Sequence, residues 1–110
     1  MAVEIWHNPR CTKSRQTLSL LDDPKVRLYL QDAPSRAEIE ETLKLLEIEP
    51  IALMRTGEKL FKELGLSKTD APEKLTAAMA AHPILIERPI VFANGKAAIG
   101  RPPEAVLSIL

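Results

Sequence analysis

Apolar and polar residues alternate by twos at the start of the chain, where Val3 and Ile5 alternate with Glu4 and Trp6 before His7-Asn8-Pro9 breaks the pattern. A short strand running into a turn reads this way. From Thr12 the period changes: Leu18 and Leu21 fall three apart with Leu20 beside them, so a helix is predicted to about Asp22, stopped by Asp23-Pro24. Alternation returns over residues 26–30, a second strand. Ser35-Arg36-Ala37-Glu38 then has the spacing of a capping box, in which the serine oxygen and the glutamate each satisfy an orphan backbone donor, and Ile39, Leu43 and Leu46 carry the apolar stripe of a helix onward. Short helices are predicted over residues 51–55 and 58–64, the latter stopped by Gly65. Asp70-Ala71-Pro72-Glu73 opens another that Pro83 closes. Near the end, Ile90-Val91-Phe92-Ala93 and Lys96-Ala97-Ala98-Ile99 are joined by Asn94-Gly95, the two-residue turn of a tight hairpin. Pro102-Pro103-Glu104 starts a closing helix through Val106, Leu107 and Leu110.

Two strands separated by a crossover helix pair in parallel, and the hairpin adds an antiparallel pair. The expectation is an α/β fold: a four-stranded mixed sheet with flanking helices and a helical insert before the hairpin, the plan of thioredoxin and glutaredoxin. A chain of 110 residues suits a single domain spanning residues 1–110. The nine prolines are scattered as element boundaries, not gathered in a linker.

Charge narrows the function classes. Lys and Arg number 15, as do Asp and Glu, so no global field argues for nucleic acid or an anionic membrane, and any anion site must be local. No apolar run approaches the roughly 18–20 residues of a membrane helix, and Met1-Ala2-Val3-Glu4 does not open a signal region, so a cytoplasmic protein is expected. A single cysteine excludes an internal disulfide, and with only two histidines it leaves too few ligands for a Cys/His zinc cage; neither a metal nor a bound cofactor is expected.

The chemistry centres on Cys11, placed between a turn ending in Pro9-Arg10 and the first helix, where unpaired N–H groups favour a thiolate. From Ile5 to Leu21 there is no carboxylate, while His7, Arg10, Lys13 and Arg15 all fall in that window. A helix terminus contributes only about 0.3–1 kcal/mol, whereas lowering a thiol from about 8.5 to near 6.5 needs roughly 2.7 kcal/mol. A charge must therefore contribute, and Arg15, one turn on, together with protonated His7 is the expected source. Against this stands the plainer reading of Cys11 as a small buried hydrophobe. Ser14 occupies the position of a dithiol oxidoreductase's second cysteine, so a mixed disulfide formed here requires an outside thiol to resolve it. The C-x5-R loop of tyrosine phosphatases is absent, since Thr17 stands where its arginine would be, and no Gly-rich nucleotide loop occurs.

Nearly end to end, the chain resembles the bacterial glutathione- and glutaredoxin-dependent arsenate reductases. The resemblance is carried by Trp6-His7-Asn8-Pro9-Arg10-Cys11-Thr12-Lys13-Ser14-Arg15, by Leu53-Met54-Arg55 and Glu63-Leu64-Gly65-Leu66, by the run from His82 to Val91, and by Gly100-Arg101-Pro102-Pro103-Glu104. It implies that Cys11 is the nucleophile, that His7 and Arg15 tune and orient it, and that Arg55, Arg88 and Arg101 converge on an oxyanion. The family also suggests a cis bond between Arg88 and Pro89 beside the active site. Taken singly, each arginine also reads as an ordinary surface residue. Arginine suits the role because its planar fork donates two charge-assisted hydrogen bonds and stays charged.

The implied reaction is attack of the Cys11 thiolate on arsenate, reduction by glutathione as co-substrate, and removal of the resulting mixed disulfide by glutaredoxin. Thr12-Lys13-Ser14-Arg15 departs from the Gly-Thr-Ser-Arg of the best-known members and resembles a sister subgroup with this charged form. Two other functions fit the same fold: a monothiol deglutathionylating enzyme without arsenate activity, and a regulator that binds RNA polymerase. Ser14 counts against the C-x-x-C switch that such regulators often use.

Overall fold

In the computed structural model, which describes residues 2–110, the chain gathers into two units, one from residues 2–32 with Arg88–Leu110 and the other from Ala33–Glu87. The first holds the sheet. Its central strand β1 (Glu4–Trp6) pairs in parallel with β2 (Lys25–Arg27) and antiparallel with β3 (Ile90–Ala93), which pairs antiparallel with β4 (Lys96–Ile99); the order is β2-β1-β3-β4. Helix α1 (Thr12–Leu18) forms the connection between the two parallel strands.

The strand alternation read from the sequence sets the two faces of this sheet. Ile5 lies opposite Val91, and both join Ala93, Val106 and Ile109 in a buried cluster flanked by Val3, Leu18, Leu21 and Ala98. Each fully buried valine or isoleucine of the cluster contributes about 1.5–3 kcal/mol by leaving water. On the opposite face the Trp6 and Phe92 rings meet at 5.0 Å with a 55° tilt, and the Arg27 guanidinium lies 5.6 Å from the Trp6 ring centre. The hairpin forms as the sequence predicts: Asn94 and Gly95 take φ of 55° and 72°, the left-handed pair that a tight turn requires.

Three features of this unit differ from the expectation. Helix α1 stops at Leu18, not near Asp22, because the amides of Leu20 and Leu21 reach back three residues to the carbonyls of Thr17 and Leu18, tightening the chain into a turn. Strand β2 ends at Arg27, not at Leu30, because the Leu28 carbonyl accepts from the amides of Gln31 and Asp32 and begins a turn. The closing segment Pro103–Ile109 is a 3-10 helix. Its three-residue repeat aligns Pro103, Val106 and Ile109 on one buried stripe, which packs against α1, β3 and β4.

The second unit is helical. It contains α2 (Arg36–Leu46), α3 (Pro50–Leu53), α4 (Lys59–Glu63), α5 (Pro72–Ala81) and a 3-10 turn (Pro83–Leu85). The capping box is present: the Glu38 amide donates to Ser35 Oγ at 3.1 Å, and the Ser35 amide donates to Glu38 Oε1 at 2.9 Å. The amides of Gly65 and Leu66 close α4 by donating to the carbonyls of Lys62 and Phe61, the stop expected at Gly65. Helix α3 is shorter than the predicted 51–55 because Met54 leaves it to bridge Ile86, with the Arg55 amide donating to the Leu85 carbonyl at 2.8 Å. Helix α5 packs on α2, α3 and the 3-10 turn, and Ile39, Leu43, Leu53, Leu75, Met79 and Leu85 are buried. No helix of the described residues is long and apolar enough to cross a membrane.

Candidate active site

Cys11 is the residue that caps α1. Its backbone is extended (φ −97°, ψ 123°), its amide donates to the Asn8 carbonyl at 3.0 Å, and its carbonyl accepts from the Arg15 amide at 3.0 Å. Only 8% of the residue is exposed. Burial by itself pushes the Cys11 thiol up; the Ser14 N–H, the Arg88 charge, the Lys13 N–H and the Arg101 charge outweigh it and hold the thiol below its ordinary value. Arg101 donates from Nη2 toward Sγ at 3.7 Å. The same guanidinium is fixed by its Nε, which donates to the Arg88 carbonyl at 2.8 Å. The bond from Arg88 to Pro89 is cis, as the resemblance suggests, and a second cis bond joins Arg101 to Pro102.

His7 and Arg15 act on the loop and not on the sulfur. Nδ1 of His7 shares a 2.7 Å hydrogen bond with Ser14 Oγ, which also accepts from the Asn8 amide at 3.0 Å. Both His7 and Ser14 are buried. Burial, and then the Arg15 charge, lower the His7 pKa below 6.5, so at neutral pH the imidazole is uncharged. The protonated His7 expected from the sequence therefore does not supply the charge that favours the thiolate. Arg15 instead donates from Nη1 to the Pro9 carbonyl at 2.8 Å and from Nη2 to Thr12 Oγ1 at 3.3 Å, clamping the turn that precedes Cys11. The electrostatic work expected of these two residues falls to Arg88 and Arg101. Arg55 lies in the helical unit, where its Nη1 pairs with Glu58 Oε2 at 2.8 Å.

Gly100 is a contributor that no local pattern signalled. A Cβ there would lie 2.5 Å from Thr17 Oγ1 and 2.7 Å from Pro89 Cγ, so only glycine allows the end of β4 to approach both α1 and Pro89. The next residue is Arg101. Thr17 is itself fixed by donating from Oγ1 to the Lys13 carbonyl at 2.8 Å. Among the described residues, no three His, Cys, Asp or Glu side chains cluster as metal ligands would.

Comparison with known proteins decides the lineage. The ArsC family model matches residues 6–109. The chain belongs to the ArsC family. The arsenate reductase of Haemophilus influenzae is 47% identical over 116 residues, covering 100% of this chain and 100% of that protein. An uncharacterized protein of Escherichia coli K12, YfgD, is 50% identical over 114 residues, covering 98% and 96%. Among solved structures, the arsenate reductase from Vibrio cholerae superposes with a TM-score of 0.96 at 50% identity, covering 100% of this chain and 98% of that one. The ArsC-family sheet order and flanking helices described above are those of a thioredoxin-like α/β fold.

Proposed function

We propose that this ArsC-family protein reduces arsenate to arsenite through Cys11, with glutathione and glutaredoxin as reductants. The observation that carries the reading is the Arg101 guanidinium 3.7 Å from a thiol whose pKa is held down. The thiolate attacks arsenic; a sulfur–arsenic bond forms and one arsenate oxygen leaves as water after taking a proton. Arg88 and Arg101 neutralise charge on the remaining oxygens. Glutathione then attacks the Cys11 sulfur. A sulfur–sulfur bond forms, the electron pair of the sulfur–arsenic bond passes to arsenic, and As(V) leaves as As(III). Glutaredoxin's thiolate takes the glutathione from the mixed disulfide and returns the Cys11 thiolate.

Arsenate and phosphate share shape and charge, so arginine contacts discriminate weakly between them. Selectivity in this scheme resides in the reducible arsenic centre. With Arg55 engaged by Glu58, the scheme rests on Arg88 and Arg101.

The test is arsenite formation from arsenate with glutathione, glutaredoxin and an NADPH-driven recycling system, comparing wild type with Cys11→Ser and Arg88→Ala. Turnover abolished by the first and falling about 10²-fold or more with the second is expected. A wild type that forms no arsenite, yet strips glutathione from a glutathionylated substrate, overturns arsenate as the substrate and makes the protein a deglutathionylating enzyme.

A further inference from the structure

Lys13, which acts on the Cys11 sulfur, also lines a groove whose second wall starts directly after Arg101. Lys13 offers its N–H toward the sulfur and lines one wall, which continues through Gln16, Ser19 and Leu20. Arg101 reaches the sulfur with Nη2, and the residues directly after it, Pro102, Pro103 and Glu104, line the other. The space between holds about 480 Å³, within the roughly 300–1,000 Å³ of small-molecule sites. Lys13 and Glu104 are both exposed, and neither makes an ion pair among the described residues. The groove therefore presents one cation, one anion, the Gln16 amide and the apolar surface of Leu20; Cys11 does not line it, and Lys13, whose N–H points toward the sulfur, joins the two.

A ligand complementary to this set is a small zwitterion with amide bonds and its own sulfur. A neutral thiol leaves both charges unanswered, and a simple anion answers only Lys13. We infer that this groove binds the peptide thiol that exchanges with Cys11, a γ-glutamyl peptide such as glutathione, with Lys13 taking a carboxylate and Glu104 the ammonium. The inference rests on the reading that Cys11 undergoes thiol exchange; it adds where the co-substrate sits and which side chains select it. Lys13 thus gains a role that the reaction at the sulfur did not require.

Disulfide uptake by Cys11 tests this without arsenate. The thiolate attacks a disulfide, the sulfur–sulfur bond breaks, a new one forms to Cys11, and the other half departs as a thiolate with the bonding pair. Three probes are compared: oxidised glutathione, the disulfide of 3-mercaptopropionate, which has carboxylates but no ammonium, and hydroxyethyl disulfide, which has neither. Ratios of their rates cancel any change in the reactivity of the sulfur. Lys13→Gln is expected to cut the rates with both carboxylate-bearing disulfides about two- to fivefold relative to the neutral one, and Lys13→Arg to restore them. Glu104→Gln is expected to cut oxidised glutathione about two- to fivefold relative to the mercaptopropionate disulfide. Ratios unchanged in both Gln variants overturn the proposal, as does a Lys13 effect with Glu104 silent. A wild-type protein whose Cys11 reacts with none of the probes defeats the thiol-exchange reading itself, whereas one that reacts equally with all three defeats only the groove.

Discussion

Arg101 in the sheet unit and Arg55 in the helical unit carry the same guanidinium and are held in different ways. Arg55 is answered three residues along its own chain, by Glu58 at 2.8 Å. The helical unit repeats that habit, pairing Arg36 with Glu40, Lys59 with Glu63 and Lys74 with Asp70, each four residues apart. Such pairs need only residues three or four apart in the chain, and the exposed ones contribute little. Arg101 instead spans ninety positions to the Cys11 sulfur and is fixed through the Arg88 carbonyl. Arg55 answers a carboxylate beside it in the chain, whereas Arg101 is carried by tertiary structure to a thiol whose pKa it helps to hold down.

Exchanging the two arginines for alanine breaks this contrast most sharply. Arg101→Ala is expected to lower arsenate turnover about 10²-fold and to move the pH midpoint of Cys11 alkylation upward. Arg55→Ala is expected to leave that midpoint where it is. Equal midpoints for the two variants would remove the distinction. Next in size is Gly100→Ala, whose methyl group meets Thr17 and Pro89; a loss of about 1–3 kcal/mol in urea unfolding is expected, with slower alkylation at pH 6. The counterpart in the helical unit is Ser35→Ala, which removes the capping box: about 1 kcal/mol of stability should be lost, with no change in alkylation rate.

The smallest expected effect is a pH slope. Because the folded His7 pKa is depressed, its contribution is fully present above the unfolded value near 6.5 and is lost as pH falls through the folded one, the unfolded imidazole binding its proton first. Cys11, also depressed, contributes fully only above the ordinary thiol range and loses that contribution as pH falls through its folded pKa. Denaturation of wild type and Cys11→Ser across pH 5–9 should therefore show the gap between them widening in favour of wild type toward alkaline pH. A gap that narrows would contradict the lowered thiol pKa.

The hairpin and the capping box were legible because each depends on residues within a few positions of one another: Asn94-Gly95 sets its own turn, and Ser35 and Glu38 set their own helix start. Cys11 at the start of a helix was legible for the same reason. The residues that favour its ionised form were assigned by nearness in sequence, to His7 and Arg15, and there proximity misled. Those two hold the loop, while Arg88 and Arg101 supply the charge, a partition that only the folded sheet determines. The apolar alternation over residues 26–30 overran the strand because Val26, 44% exposed, sits on a sheet edge, and the buried Tyr29 lies within the turn. Gly100 appeared only as part of a resemblance, because the atoms that forbid a side chain there belong to residues 17 and 89.

The ninety-residue separation between Cys11 and Arg101 also sets an order of events during synthesis. A ribosome adds about 5–20 residues per second, so the cysteine precedes the guanidinium by roughly 5–18 s. Until Arg88 is added the nascent chain carries a thiol without either of the two arginine charges that lower its pKa, and until Arg101 is added it still lacks one of them. A chain interrupted before Arg88 is released with its cysteine but without those two charges, so premature termination leaves a fragment with a less acidic thiol.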